Sequence, residues 1–102
     1  MTNVYLERSG DRYTVHCKGH ATGSVEVCAA VSALTVSLGE WLIQTKTEVL
    51  RERVKDAEIY LCFRGGEAAK AVFDMMCLGF GKLEERYGEY IKVNAKNISF
   101  SG

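Results

Sequence analysis

The sequence predicts an α/β two-layer fold, with two helices packed on one face of a largely antiparallel sheet of four to five strands. Three observations lead there. Side chains alternate between apolar and polar along Arg12–Lys18 and Glu58–Arg64, the period of a half-buried strand. Apolar residues recur at helical spacing after Ser24 and again after Gly66. The resulting order is strand, strand, helix, strand, strand, helix, strand, with no repeat, linker or low-complexity run between them. The 102 residues suit a single domain, 1–102, long enough for one core.

Taken in order, Asn3–Arg8 and Arg12–Lys18 read as two strands joined at Ser9-Gly10-Asp11, a turn-forming cluster. Tyr13, Val15 and Cys17 share the face expected to be covered, which leaves His16 on the wetter side. The first helix is expected to start near Ser24 or Val25, with Ser24 as N-cap and Glu26 in the first turn. Its buried stripe is Val27, Val31, Leu34, Leu38 and Trp41 or Leu42. Cys28, Ser32, Thr35 and Gly39 form a neighbouring face of small and polar residues, and Ala29, Ala30 and Ala33 are expected to allow close packing on the sheet.

Thr45–Val54 carries both strand and helix features and is read as a strand, turning at Lys55-Asp56 into Glu58–Arg64. There Ile59, Leu61 and Phe63 alternate with Tyr60 and Cys62. Gly65-Gly66 ends that strand as a tight turn; a phosphate loop would need a following lysine and Ser/Thr that are absent. A second helix runs from about Glu67 to Tyr87 with the stripe Ala69, Val72, Met76, Phe80, Leu83 and Tyr87. Gly79 and Gly81 inside it imply close packing or a bend, since each weakens a helix by about 1 kcal/mol relative to alanine. A last strand, Tyr90–Val93, precedes a tail with Ile98 and Phe100.

Thirteen basic and thirteen acidic residues are interspersed and cancel, so the basic footprint of a nucleic-acid binder is absent. No basic region followed by an apolar run opens the chain, and no stretch is expected to reach membrane-spanning length. Cys17, Cys28, Cys62 and Cys77 then read as reduced thiols of a cytoplasmic protein, three of them small buried hydrophobes.

The chemistry concentrates between Gly19 and Leu34. A small-residue loop lets the chain reverse, so His20 at a strand end and Cys28 in the first turn of a helix reach the same edge of the fold. The positive end of the helix dipole and a nearby imidazolium both favour the thiolate, which is the nucleophile; the negative charge of Glu26 opposes them. His16 is the poorer partner, about 13 Å further back along its strand. A buried structural cysteine is the ordinary alternative for Cys28. A metal site built from His16, Cys17, His20 and Cys28 is disfavoured, because alternation puts His16 and Cys17 on opposite faces and no Cys-x-x-Cys spacing occurs; no metal and no cofactor is expected.

Gly19-His20-Ala21, followed by Val27-Cys28-Ala29-Ala30-Val31-Ser32-Ala33-Leu34, resembles the ribosomal-processing cysteine protease family, Prp. The resemblance runs on through Ile59–Phe63, the second helix, and the stretch from Glu85 to Val93. It implies a cysteine endopeptidase whose dyad is His20 and Cys28, with Ser32 in support one helical turn later. It also implies a substrate, the N-terminal extension of large-subunit ribosomal protein twenty-seven, cut after a phenylalanine, and a homodimer; neither direct nucleic-acid contact nor a membrane is expected. Backbone N–H groups of Val27, Cys28 and Ala29 are the expected oxyanion donors. A non-catalytic, ribosome-associated or peptide-binding module of the same fold is the second reading. Members of the family carry a longer, glycine-containing loop with an aspartate shortly before the cysteine; here Val25 and Glu26 occupy that region, which implies a more open and less selective site.

Overall fold

A computed structural model of the chain describes residues 1–20 and 23–98. Gly10, at φ +62°, closes the turn between β1 (Thr2–Ser9) and β2 (Arg12–Lys18), whose register runs from Ser9 opposite Arg12 to Asn3 opposite Lys18. After α1 (Val25–Gln44) come β3 (Glu48–Lys55) and β4 (Glu58–Arg64), a second antiparallel hairpin with a register shift between Val49 and Arg51. α2 (Glu67–Tyr87) then carries the chain back over the sheet to β5 (Ile91–Lys96).

The sheet has five strands in the order β3-β4-β2-β1-β5. Every pairing is antiparallel except that of β1 with β5, which is parallel because α2 has to cross β2 and β1 before β5 can pair. Strand β2 therefore lies at the centre of the sheet.

Both helices cover one face. Val4, Leu6, Tyr13, Val15, Cys17, Leu61 and Phe63 point up from the sheet, and Val27, Leu38, Leu42, Phe73, Met76 and Phe80 point down onto them, all buried. Tyr13 is the hub, its ring 5.0 Å from that of Phe73 and 5.6 Å from that of Phe63. Phe73 and Cys77 belong to the buried face of α2 although they lie outside the expected stripe. Gly79 has a packing reason: a Cβ there would sit 3.2 Å from Leu34 of α1. Gly81 has none, with nothing within 4 Å.

Several expectations need correction. Ala29 and Ala33 are exposed, so they face away from the sheet. The expected stripe of α1 does face the core: Val27, Leu38 and Leu42 are buried and Val31, Leu34 and Trp41 pack against the core partly buried, joined by buried Thr35, whereas Val25, Val36 and Ile43 are 82%, 66% and 72% exposed. With 20 residues and a mean hydropathy of 1.4, α1 also does reach the length and apolarity of a membrane span, though here its buried stripe lies across the sheet. Thr45, expected in a strand, is the C-cap of α1, and β5 runs on to Lys96. Ile98 packs against the core, while Phe100 falls outside the described residues.

Among the described residues no helix covers the opposite face of the sheet. His16 lies there between Tyr5 and Tyr60, ring centroids 5.6 and 5.1 Å away, and its Nε2 is 2.7 Å from Oε2 of Glu58.

Candidate active site

The N-cap of α1 builds one wall of the site. Ser24, in extended conformation at φ −135° and 5% exposed, accepts the Val27 N–H on its Oγ at 3.2 Å. The Cys28 N–H donates to the Ser24 carbonyl at 3.3 Å, the first bond of the helix. Cys28 is thus four residues inside the cap. Because Cα–Cβ bonds tilt toward a helix N-terminus, its side chain leans back over the Ser24–Val25 turn. Its thiol is exposed.

These bonds correct the expected oxyanion donors. The N–H groups of Val27 and Cys28 are engaged, and helical geometry commits that of Ala29 to the Val25 carbonyl. The donors that helix geometry leaves without intrahelical partners are those of Val25 and Glu26. The Glu26 carboxylate lies back on the cap, 3.4 Å from the Ser24 hydroxyl that donates to it, so it does carry negative charge to the helix start.

The other wall comes from the sheet. Strand β2 ends at Lys18, Gly19 turns, and His20 follows, exposed. His20, Cys28, Ser32 and Thr35 line one cleft of about 220 Å³. Thr35 forms part of its floor, 2% exposed, its hydroxyl shared between the Val31 and Ser32 carbonyls at 2.9 and 3.3 Å. Val31 and Ile59 supply apolar lining. The loop residues Ala21 and Thr22 lie outside the described residues.

Other lining residues escaped the sequence reading: Thr2 at the start of β1, and Val54, Lys55, Ala57 and Glu58 around the β3–β4 turn. A signal for two of them was present. Counting outward from the Ser9–Arg12 turn sets Thr2 opposite Gly19, and the β2–β4 register sets Ala57 beside Gly19 on its other side.

The remaining thiols differ from Cys28. Cys17 and Cys77 are buried, which pushes each up to about 12, with the Asp74 charge adding to the effect at Cys77. Cys62, expected in the core, is only half-buried, because it points to the helix-free face of the sheet. His16 points away from the cleft as well and is bound to Glu58. Among the described residues no three His, Cys, Asp or Glu side chains converge as a metal site.

Solved structures of the same shape include the ribosomal processing protease Prp of S. aureus with a covalently linked product peptide. It is 21% identical with a TM-score of 0.77, over 94% of this chain and 100% of that one. The same S. aureus protease with a substrate peptide matches at 21% identity and a TM-score of 0.73, over 94% and 100% of the two chains. SMU.848 from Streptococcus mutans is 25% identical with a TM-score of 0.72, over 93% and 96%. No curated protein sequence matches the chain. The model of the family described as cysteine protease Prp matches residues 1–92, which takes in both walls of the cleft, and the chain therefore belongs to that family of cysteine proteases.

Proposed function

We propose that this protein is a cytoplasmic endopeptidase that uses Cys28 as nucleophile and His20 as general base, and that its substrate is the N-terminal extension of large-subunit ribosomal protein twenty-seven, cut after a phenylalanine. The observation that carries the reading is the convergence of His20, from the end of β2, and Cys28, from the first turns of α1, on one cleft with an exposed thiol. Membership of the Prp family supports the chemistry, and the peptide complexes of the S. aureus protease support a peptide substrate.

In this mechanism His20 takes the thiol proton as Sγ attacks the scissile carbonyl. The tetrahedral oxyanion is held by backbone N–H groups at the start of α1, those of Val25 and Glu26. Its collapse expels the amine, which leaves with the proton from His20, and a thioester remains on Cys28. Water, deprotonated by His20, then releases the acid and restores the thiol. Ser32, one turn beyond Cys28 in the cleft, positions substrate without taking part in bond making.

A homodimer is part of the proposal. Val36 and Ile43 of α1 and Met75 and Leu78 of α2 are exposed apolar residues on the helical layer, the kind of surface a second copy would cover. Cleavage of an extension peptide by wild type, Cys28→Ser and His20→Ala tests the enzyme. Turnover by wild type alone is expected, and an inert wild type would leave the peptide-binding module as the better reading.

A further inference from the structure

Gly19 is held on three sides. Its N–H donates to the Ala57 carbonyl at 2.8 Å, and its own carbonyl accepts from the Thr2 hydroxyl at 3.3 Å. Its φ of +95° belongs to glycine, and a Cβ added there would meet the Met1 carbonyl oxygen at 2.5 Å, backbone that cannot turn aside. Each holder is itself fixed. Thr2 is 4% exposed, and its N–H donates to the Tyr90 carbonyl at 2.9 Å beside β5. Ala57 sits at φ +60° in the two-residue turn of the β3–β4 hairpin, a conformation an alanine adopts only when its surroundings impose it. The next residue, Glu58, accepts from His16 on one side and from Arg53 Nε and Nη2 at 3.1 and 3.2 Å on the other.

We infer that Thr2 and Ala57 form a clamp on Gly19 that positions His20 for catalysis. The inference rests on the reading of His20 as general base, and Thr2 and Ala57 are positioning residues, acting through the Gly19 backbone. His20 stands two residues past the regular end of β2, where a strand end would ordinarily fray. With Gly19 bound from both flanking chains, the peptide that leads into His20 is held, and only the rotations of His20 itself remain to be set. The stronger half of the clamp is the short bond to Ala57; the Thr2 hydroxyl closes the other side. A base held in this way keeps its distance to the Cys28 proton, and small misplacements of such a group slow chemistry without weakening substrate binding.

The test uses the full chain with Thr2→Val, which keeps the shape and removes the hydroxyl, and Thr2→Ser, which restores it. Hydrogen exchange of the Gly19 amide is measured alongside cleavage of a phenylalanine-containing extension peptide. The clamp requires a protected Gly19 amide in wild type and faster exchange in Thr2→Val. It also requires kcat lowered by about fivefold with KM within about twofold, and both restored in Thr2→Ser. A Gly19 amide that exchanges at the unprotected rate in wild type, or equally in wild type and Thr2→Val, overturns the clamp whatever the peptide assay gives. Equal loss of kcat in the valine and serine variants overturns the role of the hydroxyl. A wild type that cleaves no peptide while its Gly19 amide behaves as required overturns only the reading of His20 as base.

Discussion

His16 Nε2 lies 2.7 Å from Glu58 Oε2 on the sheet face that no helix covers, and Arg53 closes on the same carboxylate from β3. The hydrogen bond from His16 and then that from Arg53 hold the Glu58 carboxyl down from its ordinary 4.5 to about 2. A depressed carboxyl favours the fold in full only while it is ionised in both states. The contribution is therefore complete above pH 4.5 and is lost as pH falls from 4.5 toward about 2. Thermal melts of wild type and Glu58→Gln should differ at pH 7 and converge across that window. A constant gap from pH 7 to pH 2 would refute the linkage.

Substitution at the cleft should separate chemistry from binding. Cys28→Ser should lower turnover by at least about a thousandfold and leave peptide affinity close to wild type, because the hydroxyl is nearly the same size but supplies no accessible anion near neutral pH. Isothermal titration with an uncleaved extension peptide, beside single-turnover kinetics, checks both halves.

The four thiols should react in a fixed order. At pH 7 an alkylating reagent should modify Cys28 first and Cys62 more slowly. Cys17 and Cys77, buried and pushed up to about 12, should stay unmodified until the protein unfolds. Peptide mapping by mass spectrometry reads the order directly. Modification of Cys28 slowed in His20→Ala would place the imidazole beside the thiol.

Ser24→Ala removes the acceptor for the Val27 N–H, which should cost about 1 kcal/mol of stability and loosen the first turn of α1. Denaturant melts give the first effect. A fall in kcat larger than the stability loss accounts for gives the second, since Cys28 stands on that turn.

In the core, Phe73→Ala should cost about 3–5 kcal/mol, because a fully buried ring that packs on Tyr13 leaves a cavity between α2 and β2. Unfolding of Leu78→Ala should differ from wild type far less, that residue being 53% exposed.

Strand boundaries were readable because period-two alternation in β2 and β4 was strong, and the Ser9–Arg12 turn fixed the first hairpin. The parallel place of β5 beside β1 was not, since it depends on how far α2 reaches across the sheet, which no local pattern encodes. The phase of α1 was legible only in part. Its acidic side chains are Glu26 and Glu40, and it has no basic one, so little polar contrast marks which side faces water; Ala29 and Ala33 were placed on the wrong side for that reason. Phe73 was missed because Val72, one position away, satisfied the same spacing. At the site, the motif residues His20, Cys28 and Ser32 were visible in the chain and do line one cleft. Thr2 could be placed by counting from the first hairpin's turn but belongs to no motif, and Ala57 contributes only a backbone carbonyl that the β2–β4 register brings beside Gly19.

The central position of β2 makes the two walls of the cleft unequal. His20 continues from a strand flanked on both sides, by β4 and by β1, the part of a sheet that opens last. Cys28 stands at the beginning of a helix most of whose surface is open to solvent. Widening of the cleft should therefore come from the helix side, with the first turn of α1 giving way before the strand that leads to His20.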